Sequence, residues 1–593
     1  MASPSSAACP PAMFAISRPT RTVAPAPLAR ASAAPRFALG GPRAVAKPTG
    51  AERFLRARGG QASTSGRSHH VAASAGPASR CLRRRAMRRH VRTRGASGDC
   101  DARPSSRAER AAESAPEEDG TSPPSSPLPE LLTLSTTRAA LRIGSPVVAM
   151  GLLRSAFNLT DTYWAGTLGA AQLSALMHNA FALWIIQLAC TVVATGLQAR
   201  VSSLVGAGDD AAVSRAVVQG LWGAAATYLL LLLVSPFVPA LYASGIGIEP
   251  GTPAYAHGAS HLLTLLVGSA GVAAASVLEA AFRGLGKTQV ALLVTIVSVA
   301  LAAALDPALM FGWGPFPRLG VAGAAAGASV ASAFAAALHV RALRRSCGVS
   351  LEWAPPNLSE IAGMVRVGLP LASNGVVFTL VYIAIGRVAS GCGEQNLAAL
   401  GLGQKFEAVA FTVIEGFRLA CATLVGQWVG AGKPRRARNA AAVSVALCVA
   451  AMAPFVAALF SLGPTLAGSV GADPATAAAA GSYLRWNSGA LLFLALEAVT
   501  EGAFTGAGNT VPVLVVGTLC NLARVPAAHY LAFAAGWGVE GVWAAIVASQ
   551  ILKGLLKSWW FRTRVMTDLE RKAGGGENDE DEGWKRGFLG LAW

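Results

Sequence analysis

The distribution of hydrophobic and polar positions divides the chain near residue 140. Before that position apolar residues occur in short, scattered groups, whereas beyond it they form long runs separated by brief polar segments. A helix crosses the hydrocarbon core of a bilayer with about 20 predominantly apolar residues, and these runs reach that length. The composition agrees, since 53% of residues are hydrophobic and only 14% are charged, against about 25% charged in soluble proteins. The pattern predicts an all-α protein that crosses a lipid bilayer many times.

Twelve runs after residue 140 are predicted to be transmembrane helices. They cover residues 140–165, 173–204, 212–242, 254–283, 288–312, 319–343, 360–390, 397–429, 436–466, 477–507, 510–535 and 538–562. Basic residues concentrate after even-numbered runs, as in Arg341–Arg345 and Lys433–Arg438. Because Lys and Arg are enriched in loops on the cytoplasmic side of membrane proteins, both termini are expected on that side, which is the stroma for a plastid protein.

The second six runs repeat landmarks of the first six in the same order. The paired landmarks are Gly144-Ser145-Pro146 with Gly368-Leu369-Pro370, Val205–Gly208 with Val429–Gly432, Glu279–Thr288 with Glu501–Thr510, and Gly320–Gly323 with Gly538–Gly541. Their offsets are 224, 224, 222 and 218 positions. Six is an even number, so both halves enter the membrane from the same side. The repeat therefore predicts two six-helix lobes related by a pseudo-two-fold axis along the membrane normal, as in transporters that bind substrate between their halves.

One acidic residue stands out in the first run. Asp161 is the only acid in the apolar stretch that begins near Ile143. An ionisable group inside a membrane span is costly unless it faces a partner, a cavity or a transport pathway, so it indicates function. We hypothesise that Asp161 takes up and releases a cation within a transporter.

These features together resemble the MATE (multidrug and toxic compound extrusion) family of cation-coupled antiporters. The motifs that carry the resemblance are Pro146…Asp161-Thr162…Gly166-x-x-Gly169…Leu173, the paired Gly-Ala-Gly loops, Phe282-Arg283-Gly284-x-Gly286-Lys287-Thr288, Leu305-Asp306-Pro307 and Leu319-Gly320-Val321-x-Gly323-Ala324. These motifs cover about residues 140–562. The composition of residues 1–100, described below, makes the chain more similar to the DinF-like branch, which includes plastid envelope members. The resemblance implies a twelve-helix, two-lobe antiporter that expels small organic solutes against a proton or sodium gradient.

The resemblance also implies a cation site in the first lobe, formed by Asp161 and Asp306. An Asn often lies one turn before the second of these acids in the family, and here that position is Ala302. By the repeat, Ile385 and Val525 are expected at the equivalent positions of the second lobe, which then has no matching acid. The small set of oxygens favours a proton over sodium, because a sodium cage needs several oxygen ligands whereas a proton needs one carboxylate.

Other charged or polar side chains in the predicted helices are candidates for the substrate cavity. They are Arg154, Asn158, Tyr163, Asn374, Arg387, Glu415, Arg418, Asn521 (the expected counterpart of Ala302) and Arg524. Arg154 shares a helix face with Asp161 and either pairs with an acid or meets an anionic substrate. The excess of Arg in the second lobe hints at an anionic or phenolic solute. Glu279 and Glu501, which recur in both halves, are interpreted as structural acids that bind loop backbone.

The first 100 residues differ from the rest in composition. They are rich in Ala, Ser, Pro and Arg and carry +16 of the net charge of +19, which is typical of a transit peptide. The Ser, Pro and Ala content favours the chloroplast envelope, with the mitochondrial inner membrane as the alternative. The predicted organisation is a transit peptide (1–100), a disordered linker (101–138), the N-lobe (139–345), an interlobe loop (346–359), the C-lobe (360–565) and a tail (566–593).

Several other classes of function find no support in the sequence. The remaining chain carries a net charge of only +3, so nucleic-acid binding is not predicted. No nucleophile–base pair or HExxH motif indicates an enzyme. The nine Cys form no CxxC, and His257 and His261 lack a third ligand, so neither a metal site nor a cofactor is expected. A lipid-linked flippase remains the rival transporter, although twelve helices and a modest basic content count against it. The protein is expected to be a monomer.

Overall fold

The structure is a computed structural model that describes residues 130–241, 251–469 and 473–573, and all of their regular structure is helical. The helices are α1 (Glu130–Thr133), α2 (Thr136–Leu168), α3 (Ala170–Ala207), α4 (Asp210–Val234), α5 (Val238–Leu241), α6 (Pro253–Gly284), α7 (Thr288–Phe311), α8 (Val321–Ser346), α9 (Leu358–Gly391), α10 (Glu394–Gly430), α11 (Pro434–Ser469), α12 (Pro474–Gly506), α13 (Val511–His529), α14 (Val539–Trp560) and α15 (Met566–Lys572). Short π-helical segments extend α13 and α14. The predicted transit peptide, most of the linker and most of the tail lie outside the described residues.

Twelve long helices correspond one to one with the twelve predicted runs. Eleven of those in the described residues are long and apolar enough to cross a membrane. The exception is α2, which has 33 residues but carries Arg138, Arg142, Arg154 and Asp161. The helix with the predicted coupling acid is therefore less hydrophobic than the other eleven.

The N-lobe was predicted to begin at residue 139, nine residues after the first described helix begins. Helix α1 begins at Glu130 and α2 at Thr136, although residues up to 138 were expected to be disordered. Leu131 and Leu132 are only 7% and 5% exposed and join the core of the C-lobe. The prediction rested on the Ser, Pro and acidic composition of the segment, which gives no weight to a pair of leucines that can be buried.

Equivalent contacts in the two lobes confirm that they share one fold. The hydroxyl of Thr288 donates to the carbonyl of Ile143 at 3.1 Å in the N-lobe. The hydroxyl of Thr510 donates to the carbonyl of Val367 at 2.7 Å in the C-lobe. These pairs keep the offsets of 222 and 224 positions found in the sequence, so the repeat is a repeat of structure.

The ends of α7 and α13 show which residues of these two helices are equivalent. The amide of Leu319 donates to the carbonyl of Leu309, and the amide of Trp537 donates to the carbonyl of Leu531. Each bond closes the turn that leads into the next long helix. Leu309 and Leu531 are therefore counterparts, at the same offset of 222 that holds where the helices begin.

This register corrects one predicted equivalence. The position of Asp306 in the second lobe is occupied by the buried Ala528, and not by Val525 as the sequence suggested. The closing turn spans ten positions from Leu309 to Leu319 but only six from Leu531 to Trp537, so the offset between the lobes falls by four positions after these helices and not before them. The conclusion that the second lobe lacks a matching acid stands.

The two lobes are in close backbone contact where α3 and α10 end. A Cβ atom added to Gly206 would lie 2.0 Å from the carbonyl oxygen of Gln427, and one added to Gly430 would lie 1.9 Å from that of Ser203. Only glycine fits at such distances. The lobes are therefore closed at the end that carries the Lys- and Arg-rich loops.

Candidate functional site

Asp161 and Asp306 lie close together in the N-lobe. Asp161 on α2 is half-buried and Asp306 on α7 is 1% exposed. Their carboxylates interact electrostatically, and the Oδ1 atom of each is buried without a hydrogen-bond partner among the described residues. Gly327 on α8 packs against Asp306, because a Cβ there would lie 2.5 Å from Oδ1 of Asp306. Carboxylate oxygens that are buried without a donor favour a bound proton or cation that reduces the charge of the pair.

The outer half of α2 exposes aromatic and polar residues around Asp161. The side chain of Tyr163 is 64% exposed, and its ring packs edge-on against Trp164 at 5.2 Å between centroids. Trp164 in turn contacts Phe311 at 5.8 Å. Asn158 is exposed. Within the described residues neither Tyr163 nor Asn158 bonds to Asp161, so they flank the acid pair without completing it.

Arg154 pairs with an acid, which decides between its two predicted roles. Its Nη2 atom lies 2.5 Å from Oε2 of Glu279 on α6, and Nη1 of Arg283 lies 2.6 Å from Oε1 of the same carboxylate. Glu279 was expected to be a structural acid that binds loop backbone; the structural role agrees with this pairing, but the predicted partner is wrong. Its carboxylate instead forms ion pairs with two arginines, Arg283 of its own helix and Arg154 of α2.

A cavity of about 150 Å³ runs through the N-lobe between α2, α6, α7 and α8. Arg154, Glu279 and His339 line one end, and Ala302, one turn before Asp306, lines the other. His339 is 2% exposed, and neither of its ring nitrogens has a hydrogen-bond partner among the described residues. The same cavity is therefore lined by the Arg154–Glu279 ion pair and by Ala302, which lies one helical turn before Asp306.

A hydrogen-bonded interlobe cluster, formed by Gln198, Arg283, Thr423 and Gln427, joins the lobes at their closed end. Nε of Arg283 donates to Oε1 of Gln198 at 3.0 Å, and Nε2 of Gln198 donates to the hydroxyl of Thr423 at 3.2 Å. That hydroxyl donates to the carbonyl of Arg283 at 2.9 Å. Nε2 of Gln427 donates to the carbonyl of Gly284 at 3.0 Å. The sequence analysis missed the Gln and Thr members, because uncharged side chains in apolar helices give no distinctive signal.

Two further predicted residues form the expected i,i+3 pair on α10. Nε and Nη2 of Arg418 donate to the two carboxylate oxygens of Glu415 at 2.6 and 2.5 Å. The pair lies within electrostatic range of Arg283 in the other lobe. Arg387 on α9, by contrast, is exposed and forms no ion pair in the described part of the chain.

Both lobes match one family model. The MatE model covers residues 146–308 and 370–529. The chain belongs to the MATE family.

Two bacterial relatives extend the match over nearly their whole length. A probable multidrug resistance protein NorM from Deinococcus radiodurans is 30% identical over 455 residues, which are 74% of this chain and 98% of the relative. A probable NorM from Thermotoga maritima is 25% identical over 428 residues, or 71% of this chain and 91% of the relative. This MATE protein is therefore a transporter and not an enzyme.

Solved MATE structures share the fold. A crystal structure of MATE in the straight conformation has a TM-score of 0.68 and 20% identity, and covers 75% of this chain and 100% of that one. A multidrug resistance MATE transporter in an outward-facing conformation gives a TM-score of 0.68, 20% identity and coverage of 75% and 99%. The similarity confirms the predicted architecture of twelve helices in two lobes.

The C-lobe of this MATE protein contains buried charges that the sequence analysis overlooked. Nζ of Lys557, which is 0% exposed, lies 2.7 Å from Glu497 and 2.5 Å from Glu501, and Nζ of Lys553 lies 3.1 Å from Glu497. Glu501 thus binds an ammonium group and not loop backbone as expected. Two lysines four residues apart inside a predicted membrane helix were the signal that could have revealed this cluster.

The remaining predicted residues lie deeper in the C-lobe. Arg524 on α13 is 1% exposed and occupies the position equivalent to Ala302, where Asn521 had been expected. Asn521 is also 1% exposed, one turn earlier. Asn374 on α9 packs against Gly517 of α13. These three residues belong to the C-lobe and the acid pair belongs to the N-lobe, so the candidate residues form separate groups in the two lobes.

Proposed function

We propose that this protein is a secondary active antiporter that exports small organic solutes in exchange for protons by alternating access of its two lobes. The observation that carries the proposal is the neighbouring pair Asp161 and Asp306, each with a carboxylate oxygen that is buried and unpartnered. An acid pair of this kind supports reversible proton binding within the membrane.

Protonation would couple to the lobes through the helices that hold the pair. Asp161 lies on α2, which packs against α10 of the other lobe. Asp306 lies on α7, which packs against α2. Binding of a proton lowers the negative charge of the pair and so changes the relative stability of the helix packing around it. A solute that binds the deprotonated arrangement more tightly is then exchanged for protons, because differential binding to two states is what couples them.

The oxygen atoms near the pair favour a proton over sodium. Ala302 contributes no side-chain oxygen one turn before Asp306, and Gly327 contributes none from α8. Two carboxylates suffice for a proton, whereas a sodium cage needs more oxygen ligands.

A location in the chloroplast envelope and membership of the DinF-like branch complete the proposal. The support is the acid-poor, Arg- and Ser-rich sequence of residues 1–100, which is typical of transit peptides. A fusion of residues 1–138 to a fluorescent protein should enter plastids. Import into mitochondria would favour the inner mitochondrial membrane instead.

Flux into proteoliposomes tests the proposed exchange. With the purified full chain, a pH gradient should drive accumulation of a fluorescent solute, and a sodium gradient at constant pH should not. Asp161→Asn should abolish the pH-driven flux. Asp568→Asn, which changes an exposed acid in the ion pair with Arg571, should leave it unchanged. Undiminished flux in the Asp161→Asn protein would refute the mechanism.

A further inference from the structure

Helix α1 precedes the first long helix and is too short to cross a bilayer. It has four residues, Glu130–Thr133, and only Leu134 and Ser135 separate it from α2. A helix of this length is not stable by itself in water. Leu131 and Leu132 are nevertheless almost fully buried. Packing of these two leucines against the rest of the protein therefore holds α1 in place.

The two leucines pack into the C-lobe, although α1 leads directly into the N-lobe. Both belong to the buried hydrophobic cluster that includes Leu424 and Trp428 of α10, and α1 contacts α10. Trp428 lies two residues before Gly430, which packs against the N-lobe backbone. Helix α1 is therefore located at the closed end of the lobes, beside their close backbone contact.

Leu131 also contacts the N-lobe. A Cβ atom added to Gly286, in the loop between α6 and α7, would lie 3.0 Å from Cδ2 of Leu131 and 3.7 Å from Nε2 of Gln427. That Nε2 atom donates to the carbonyl of Gly284 across the two lobes. The side chain of Leu131 thus lies beside an interlobe hydrogen bond. An apolar neighbour that excludes water strengthens such a bond, because the local dielectric constant falls.

The start of α2 provides a second attachment of α1 to the N-lobe. Nη1 of Arg142 on α2 lies 2.9 Å from Oε1 of Glu130. The connection of two residues between α1 and α2 limits how far the helices can separate. Helix α1 is therefore joined to the N-lobe while its leucines are buried in the C-lobe. Separation of the lobes at this end must break at least one of these contacts.

We propose that α1 is a latch that holds the two lobes together at their Lys- and Arg-rich end. Leu131 and Leu132 stabilise the closed arrangement, and their release accompanies opening of that end. The inference rests on the proposed alternating access of the lobes, since it names a segment that sets the balance between the two arrangements. It also gives a role to a part of the chain that lies outside the twelve long helices.

Distances between spin labels on the two lobes test the latch in the purified full chain. The labels are placed at Arg344 of the N-lobe and Arg562 of the C-lobe, both exposed near the closed end. Combined Leu131→Ala and Leu132→Ala substitutions remove apolar burial only from the closed arrangement. The fraction of molecules with the longer label distance should rise at least about tenfold. An unchanged distance distribution in this variant, folded by gel filtration, would overturn the proposal.

Two control variants separate the latch from a general loss of stability. Leu131→Met with Leu132→Met keeps the apolar volume and should give the wild-type distances. Leu141→Ala with Leu152→Ala removes two leucines of α2 that are each 44% exposed, and should also leave the distances unchanged. Equal opening in the exposed pair and in the latch pair would show that α1 has no special role.

Thiol labelling provides a second measurement of the same opening. A single cysteine introduced at Ser203, whose backbone packs against Gly430, should react at least about tenfold faster in the latch variant. A purely structural role of α1 within the C-lobe would lower the unfolding temperature without this change. An unchanged labelling rate would therefore contradict the latch.

These measurements use no ion gradient, so their outcome is independent of the proposed proton exchange. Opening of the latch variant together with absent pH-driven flux in the wild type would support the latch and refute the antiport mechanism. Conversely, normal pH-driven flux with unchanged label distances would support the antiport mechanism and overturn the latch.

Discussion

Gly206 and Gly430 occupy equivalent positions in the two lobes, 224 residues apart, and each packs against backbone of the opposite lobe. Gly206 faces the carbonyl of Gln427, and Gly430 faces the carbonyl of Ser203, which is itself 224 residues before Gln427. The contact is thus symmetric in sequence and in space. It gives the paired Gly-Ala-Gly loops of the sequence a physical role, which is to let α3 and α10 close against each other.

Alanine at either glycine should prevent this closure. The added Cβ would lie about 2 Å from a carbonyl oxygen, and overpacking of this kind costs roughly 1–3 kcal/mol. We expect Gly206→Ala and Gly430→Ala each to reduce solute counterflow in proteoliposomes about tenfold. Spin labels at Arg344 and Arg562, at the inner ends of α8 and α14, should move apart.

Gly363→Ala on α9 provides the control for this experiment. A Cβ at Gly363 has no neighbouring atom within 4 Å, and an alanine in a helix is slightly more stable than a glycine. Its counterflow and label distance should equal those of the wild type. Normal closure in Gly206→Ala would show that the tight contact is not required.

Neutralising Glu279 should destabilise the N-lobe. Glu279→Gln leaves Arg154 and Arg283 without their shared acid, and breaking a buried ion pair costs roughly 3–5 kcal/mol. Arg283→Met should cost less than this and Arg154→Met least, because the Arg154 side chain is 51% exposed. The thermal unfolding temperatures of the three purified variants measure this order of stability loss.

A surface ion pair serves as the reference for the Glu279 series. Glu570 pairs with Arg438 at 3.3 Å near the end of the chain, with both side chains partly exposed. Glu570→Gln should change the unfolding temperature very little, since exposed pairs contribute about 0–1 kcal/mol. A similar loss for Glu279→Gln and Glu570→Gln would contradict the structural importance of the N-lobe cluster.

Thr423→Val should weaken the interlobe cluster without changing side-chain volume. The substitution removes the donor to the Arg283 carbonyl and the acceptor for Gln198, at roughly 1–3 kcal/mol for the buried groups left unpartnered. The arrangement closed at the Lys- and Arg-rich end should become less populated. Thiol labelling of a single cysteine introduced at Ser203 should then become several-fold faster, in line with this energy.

Thr264→Val tests whether any threonine loss has this effect. The Thr264 hydroxyl bonds only to the carbonyl of Ser260 in its own helix. Labelling at position 203 should be unaffected. If Thr423→Val gave the same labelling rate as Thr264→Val, the cluster would not hold the lobes together.

The helices and the repeat could be predicted from the sequence because both depend on local information. Apolar runs of sufficient length identify the transmembrane helices, and recurring glycines give the sequence offset between the two lobes. Asp161 was recognisable for the same reason, as an isolated acid in such a run. The four-residue difference between the loops after α7 and α13 was not visible locally, so Val525 was wrongly matched with Asp306.

The partners of buried charges could not be predicted, because they depend on which helix faces which. Arg154 and Glu279 are 125 residues apart and meet only when α2 packs near α6. Lys557 and Glu497, 60 residues apart, meet across α12 and α14. Sequence spacing identified only the pair within one helix, Glu415 and Arg418.

The most direct test of the account is the movement of protons driven by solute. Proteoliposomes that contain the purified protein, a pH-sensitive dye and no initial pH gradient are exposed to a gradient of transported solute. We predict that wild-type protein moves protons against the direction of solute flow, and that Asp161→Asn and Asp306→Asn carry none. Solute-driven proton movement that persists in both variants would contradict the claim that this acid pair couples the two fluxes.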